Sequence, residues 1–400
     1  MATRELAVLT VCLALVLVYL AVEKAGLERA LRRVPRRVAV TGTRGKSGVA
    51  RLVAAGLRAS GATVLAKTTG SKPALILPDG SEREVARPGP ASVREQVRLV
   101  RLAARLGADT LVAEMMSIGP EYLEAESRLI LRPGALAVTN VRLDHTDEMG
   151  GTRDEIAGAL ARAFPPRGTV FVPEEELRPA FGAAAARTGA ALRPVGRGEG
   201  TGAAPLSFGE FEPNLRLARA VLSHLGVGEE AIRQGLSGAA PDFGRLRLWR
   251  GRFGRDGRPA VCVSAFAANE PESSAAALAQ VRERLPAAER PLVGLLCLRE
   301  DRGARTLQWV RAAGEGFFRG FAAVVLVGPS SRAALRRLRG TPGPPPPSFS
   351  RFDGRDPGDL MDRVLAEVPE EPVVVGLGNI VGWGERIVLH WAAKGTPHDP

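Results

Sequence analysis

Aromatic, cysteine and histidine residues are scarce in this 400-residue chain: aromatics make up 5%, and there are three cysteines and four histidines. The cysteines, Cys12, Cys262 and Cys297, lie far apart and form no C-x-x-C pair, which excludes a disulfide framework and a zinc site of ordinary spacing. No stacking-aromatic motif accompanies the basic residues, so nucleic acid is not an expected partner even at a formal net charge of +12. That charge suits anionic lipid or a polyanionic product instead. Internal repeats are also absent. With 45% hydrophobic and 24% charged residues, the composition is that of a folded chain of two or three domains.

One long apolar run is present. Residues 6–22 read LAVLTVCLALVLVYLAV, uncharged and near the ~17-residue lower limit for a helix that crosses the hydrocarbon core. No small-residue cleavage site follows, which favours a membrane anchor over a cleaved signal. Arg4 precedes the run, whereas Lys24, Arg29, Arg32, Arg33, Arg36 and Arg37 follow it. The positive-inside rule then predicts a single-pass protein in the cell membrane with its bulk on the cytoplasmic side.

Downstream, β-branched strands at 37–41, 63–66, 110–113, 135–139 and 169–172 alternate with helical segments, the pattern of an α/β domain with a parallel, doubly wound sheet. The turn-rich stretch GRFGRDGRP from Gly251 leads to further strands at 260–263, 292–297, 322–327 and 373–376, a smaller C-terminal Rossmann-like α/β domain. The expected organisation is an anchor at 1–24, a basic juxtamembrane segment at 25–36, a nucleotide-binding domain at 37–250 and a second domain at 251–400. TPGPPPPS, residues 341–348, reads as a stiff surface loop.

Strand 37–41 is followed by Gly42-Thr43-Arg44-Gly45-Lys46-Ser47 and then by an apolar-periodic helix. Glycines let backbone N–H groups approach phosphates, Lys46 brings a cation to the β and γ oxygens, and Ser47 can ligate Mg²⁺ at a helix start that favours anions. The loop is shorter than the general Walker pattern, with Val40 where that pattern wants glycine. Glu114 ends a strand, and His145, flanked by Asp144 and Asp147, follows another. A strand-end carboxylate and an imidazole both suit a divalent metal.

These features resemble the Mur ligase and folylpolyglutamate synthase superfamily: the short G-T-x-G-K-S loop, Glu114 in VAEMMS, and residues 139–147 as TN-x-x-x-DH-x-D. Within it, LAKTTG at 65–70, DHTDEMG at 144–150, FAAN at 266–269, RxDRxxRT at 299–306 and GLGNIVG at 376–382, with the apolar N-terminal run, are similar to the PgsB (CapB) poly-γ-glutamate synthase family. The resemblance spans nearly the whole chain. It implies a P-loop central domain, ATP and Mg²⁺, and an acyl-phosphate route by which glutamate is added to a growing γ-linked chain. Lys46, Glu114 and His145 would be catalytic, and Gly42 through Ser47 would bind nucleotide. Asn214 would lie near the adenine, and Arg245, or alternatively Arg247, would reach the phosphates. Ser47, Thr69, Glu114 and His145 would hold the metal. Small membrane subunits and an oligomeric state are also implied.

Two departures stand out. Cell-wall ligases carry a carbamylated lysine near the position of Leu160, and here there is none; they open the second domain with D-D-Y-A-H-N-P, where this chain has Ser264-Ala265-Phe266-Ala267-Ala268-Asn269-Glu270. The competing readings are a Mur-type peptide ligase acting on a cell-wall precursor and a nucleotide-gated membrane scaffold.

Overall fold

The computed structural model describes residues 2–70, 73–87, 89, 91–198, 211–240, 245–285, 290–339 and 348–398. Residues 341–347 of the proline-rich run lie outside them. The chain forms two compact units, one of Met1–Gly202 with Glu212–Pro241 and one that includes Asp242–Pro400.

The first unit begins with α1 (Ala2–Arg33), a single helix through the apolar run. Leu6 and Val22, at the ends of that run, are each 65% exposed. The helix does not stop there. Leu27, Ala30, Leu31 and Val34 recur at i, i+3, i+4 and i+7, so one stripe of the basic segment faces inward and joins the core. The basic juxtamembrane segment is thus part of the folded unit.

Eight strands follow: β1 (Arg36–Thr41), β2 (Val64–Thr68), β3 (Ala74–Ile76), β4 (Glu82–Glu84), β5 (Thr110–Glu114), β6 (Ala135–Val138), β7 (Thr169–Pro173) and β8 (Ala191–Val195), in the order β4-β3-β2-β5-β1-β6-β7-β8. From β2 to β8 across the sheet the pairing is parallel, and β3 and β4 add an antiparallel edge. The core strands are buried on both faces, as a covered parallel sheet requires. On one face α2 (Lys46–Ala59) packs with the helices Glu212–His224 and Glu229–Ser237. On the other lie the end of α1, α3 (Arg94–Arg105) and the helix Arg153–Ala161. β1 sits in the middle, and the chain leaves it toward β2 on one side and later fills β6 to β8 on the other. That reversal is where an open α/β sheet presents a crevice at its strand ends.

The second unit contains β9 (Arg247–Phe253), β10 (Arg258–Ser264), β11 (Leu292–Cys297), β12 (Phe321–Val327), β13 (Ser348–Arg351), β14 (Val373–Gly378) and β15 (Gly395–His398), in the order β13-β12-β11-β14-β10-β9-β15. β9 and β15 run antiparallel to their neighbours and the rest are parallel. The expected domain break at 250/251 falls inside β9. GRFGRDGRP is the β9–β10 hairpin rather than a connection between domains, and the unit boundary lies at Pro241/Asp242.

Candidate active site

The loop between β1 and α2 has the backbone its glycines dictate. Gly42 (φ 123°) and Gly45 (φ 78°) occupy the left-handed region, and both are hemmed in: a Cβ on Gly42 would lie 2.2 Å from Thr139 Oγ1, and one on Gly45 2.8 Å from the Asn214 amide. Side chains at either position are excluded twice over, by conformation and by space. α2 starts at Lys46 with no side-chain cap and no acidic residue in its first turn, so its leading N–H groups keep their affinity for an anion.

Lys46 is half-buried and folds back, Nζ donating to Gly42 O at 2.8 Å and to Thr43 O at 3.4 Å. Burial lowers its pKa, nearby Glu114 and Asp144 push the other way, and Arg44 adds to the lowering. An ammonium stripped of water in this way gains most from a phosphate placed against it. Ser47, the next residue, is buried and donates its hydroxyl to Glu114 Oε2 at 2.7 Å; the Thr69 N–H donates to the same oxygen at 2.6 Å. Glu114 therefore joins three segments: the start of α2, the end of β5 and the turn after β2. It is the Thr69 backbone that reaches Glu114, while Thr68 Oγ1 is buried without a hydrogen-bond partner.

Asn140 is the joint on the other side of β1. Its side-chain carbonyl accepts from Thr43 Oγ1 at 2.6 Å and Arg44 N at 3.0 Å, and its amide donates to Arg44 O at 3.1 Å. Thr139 Oγ1 also donates to Arg44 O. Asp144, almost fully buried, pairs with Arg44 at 3.1 Å and accepts the His145 N–H at 3.0 Å. His145 itself adopts the left-handed conformation (φ 52°), with Nε2 3.7 Å from Asp144 Oδ2.

Lys46, Ser47, Thr69 and Glu114 are thus in one contact network, and Asn214, on the helix Glu212–His224, is set against the loop at Gly45. His145 joins through Asp144 and Arg44, which link it to the loop. Arg245 lies in the second unit just before β9, and its alternative Arg247 is the first residue of that strand. Among the described residues, no group of three or more His, Cys, Asp or Glu side chains converges as a metal cage. Ser47 and Glu114 could contribute to a Mg²⁺ site completed by phosphate and water, a common way of binding that ion.

Sequence reasoning did not single out two positions. Asn140 was visible only as part of the TN motif. Glu126 is fully buried and accepts from Met116 N (3.0 Å), Ser117 N (2.9 Å) and Gln96 Nε2 (2.6 Å), which fixes the turn directly after Glu114. A carboxylate inside a helical stretch carries no local signal of that task.

In the second unit, FAAN and RxDRxxRT follow β10 and β11, and GLGNIVG runs from the end of β14; these are three adjacent strands, so the segments gather at one end of the sheet. Asn379 donates to Cys297 O at 3.3 Å, Arg305 approaches Asn379 Oδ1 at 3.5 Å, and Trp309 donates to Asn269 O at 3.3 Å. Gly376 leaves room for the Phe266 ring, which a Cβ would meet at 2.3 Å.

Comparison with known proteins agrees with both halves of this description. Residues 40–188 match the Mur ligase middle domain, and residues 251–394 match the poly-gamma-glutamate synthase CapB C-terminal domain. The capsule biosynthesis protein CapB of Bacillus anthracis is 28% identical over 95% of this chain and 82% of its own length. The PGA synthase CapB of Bacillus subtilis is 26% identical over 95% and 96% respectively. Among solved structures, a bifunctional folylpolyglutamate synthase/dihydrofolate synthase from Yersinia pestis, complexed with AMPPNP and a Mn ion, superposes with a TM-score of 0.63 at 19% identity, covering 93% of this chain and 92% of that one. The chain thus carries matches to a Mur ligase middle domain and a CapB-type C-terminal domain, and is similar to CapB proteins along almost its whole length.

Proposed function

We propose that this protein is an ATP-dependent ligase that polymerises glutamate through γ-amide bonds, releasing ADP and phosphate. The observation that carries the chemistry is the phosphate loop with Ser47 hydrogen-bonded to Glu114 at 2.7 Å beside Lys46. The CapB relatives named for capsule biosynthesis and PGA synthesis carry the substrate assignment.

Amide formation needs an activated carboxylate. The terminal carboxylate of the growing chain attacks the γ-phosphorus of ATP, the bond to the β-γ bridging oxygen breaks, and ADP leaves. The amine of the incoming glutamate then attacks the acyl carbon and expels phosphate, and a proton is lost from nitrogen. Lys46 neutralises charge on the transferring phosphoryl group, and the N–H groups at the start of α2 hold the phosphate oxygens. Gly42 and Gly45 let the backbone come close, while Asn140 and the Arg44–Asp144 pair hold the loop in register. Mg²⁺ would offset charge on the phosphates, and Ser47, Glu114 and His145 are the residues that would hold it, with Thr69 bracing Glu114 through its N–H. Arg245 is assigned to the nucleotide phosphates and Asn214 to the surroundings of the adenine.

α1 is, among the described residues, the one helix long and apolar enough to cross a bilayer. In this reading it anchors the enzyme in the cell membrane, with both units on the cytoplasmic side, where ATP is, and small membrane subunits and further copies assemble around it. The test is to incubate membranes carrying the full chain with labelled glutamate and ATP. Labelled polymer with stoichiometric ADP is expected; AMP as the nucleotide product, or ATP turnover indifferent to glutamate, would overturn the assignment.

A further inference from the structure

From the last turn of the apolar run onward, α1 leans on α3. Arg94 donates to the Tyr19 hydroxyl at 3.4 Å, and Arg101 pairs with Glu23 at 3.1 Å and donates to the Glu23 carbonyl at 3.0 Å. Gly26 permits the contact, because a Cβ there would come within 3.1 Å of the Arg101 guanidinium. One turn on, Glu28 and Arg132 pair through two hydrogen bonds, and Arg37 donates to Val34 O. Contacts from residue 19 through 34 make α1 a rigid continuation of the first unit rather than a tether.

The pairing order fixes the direction of α3. Residues 94 and 101 of α3 meet residues 19 and 23 of α1, so the two helices run side by side in the same sense. Tyr19 lies three residues inside the end of the apolar run, or about 5 Å at the helical rise. Any bilayer that takes residues 6–22 therefore brings its headgroups level with the first turns of α3. There Arg94 and Arg98 are exposed, as are Lys24 and Arg29 on α1, and Arg98 makes no ion pair among the described residues. Guanidiniums at that depth reach phosphate while their stems cover apolar surface.

We infer that the first turns of α3, led by Arg94 and Arg98, rest on anionic phospholipid headgroups, so that this end of the first unit lies against the bilayer with its orientation set by α1. This rests on the reading of α1 as the anchor, and the two can fail separately.

The full chain is reconstituted in phosphatidylcholine/phosphatidylglycerol vesicles. A fluorophore is placed on native Cys12, which is exposed, or, in a Cys12→Ser background, on Ala91→Cys beside the first turn of α3 or on Arg233→Cys; Cys262 and Cys297 are buried and stay unlabelled. Arg233 is on the helix that covers the opposite face of the sheet, and serves as the control. Acyl-chain nitroxides should quench Cys12. Headgroup nitroxides should quench Ala91→Cys but not Arg233→Cys, with nitroxide phosphatidylglycerol about threefold more effective than nitroxide phosphatidylcholine at equal content. Arg94→Glu with Arg98→Glu should abolish that preference. An unquenched Cys12 would sink the anchor itself. Cys12 quenched with Ala91→Cys unquenched would leave the anchor standing and overturn the docking of α3. Equal quenching by both lipids would overturn the anionic-lipid contact.

Discussion

The two flanks of β1 each end in a buried carboxylate, and the two are used differently. On the β5 side, Glu114 accepts from a hydroxyl and a backbone N–H, with no guanidinium or ammonium hydrogen-bonded to it among the described residues. On the β6 side, Asp144 is paired with Arg44 and accepts the His145 N–H. A carboxylate held by neutral donors keeps its charge available for a cation, whereas one already paired with a guanidinium has spent it on positioning. The comparison assigns the β5 flank to ligand chemistry and the β6 flank mainly to holding the loop.

The largest effect expected from this division is at the loop itself. Lys46→Ala should lower glutamate ligation on the order of 10³-fold while leaving the circular dichroism spectrum and melting temperature near wild type, because the lost group interacts chiefly with the transferring phosphoryl group. Near wild-type turnover of the purified variant would remove the phosphate-loop assignment. On the other flank, Asp144→Ala leaves the largely buried Arg44 without its carboxylate and should cost about 2 kcal/mol of stability in denaturant unfolding. A variant as stable as wild type would mean that the pair does not hold the loop.

Farther along the β5 flank, Lys67 and Glu95 form a second buried pair at 2.9 Å, with Arg87 on the same carboxylate at 2.8 Å. Burial alone would raise the Glu95 pKa, but hydrogen bonds from Arg87 and Lys67 outweigh it and hold it at about 2. A depressed folded-state pKa contributes stability above the unfolded value and loses it as pH falls through the folded one. Unfolding free energy should thus decline between roughly pH 5 and pH 2, and Glu95→Gln should flatten that decline. The smallest effect expected is none: with Leu160 buried where related ligases carry a modified lysine, added bicarbonate should not change turnover, and a bicarbonate-stimulated rate would reveal a carbamate elsewhere.

The parts of this fold that were legible in the sequence are those where burial and spacing coincide. The five core strands of the first sheet were found within two residues of their observed ends, because β-branched runs buried on both faces leave an unmistakable apolar signature. β3 and β4 escaped notice because they are three residues each and ERE has no apolar face, and β8, ALRPV, because Arg193 and Pro194 interrupt its apolar pattern. β9, RLWRGRF, was hidden by its arginines, which moved the expected domain break. The Leu27, Ala30, Leu31, Val34 stripe was present at helical spacing, yet the surrounding arginines masked it. Within the site, Ser47 meets Glu114 and Asn214 lies against Gly45. Asn140 and Glu126 act through contacts about 95 and 10 to 30 residues away, which no local pattern encodes.

The most direct test of the division between the flanks is ligation rate against Mg²⁺ concentration for wild type, Glu114→Gln, His145→Ala and Asp144→Asn. Glu114→Gln should lose about 10²-fold in rate and require more Mg²⁺ for half-maximal activity, with His145→Ala moving the same way by a smaller factor and Asp144→Asn keeping the wild-type Mg²⁺ dependence. An unchanged Mg²⁺ dependence in Glu114→Gln, or a shift in Asp144→Asn as large as in Glu114→Gln, would contradict the account.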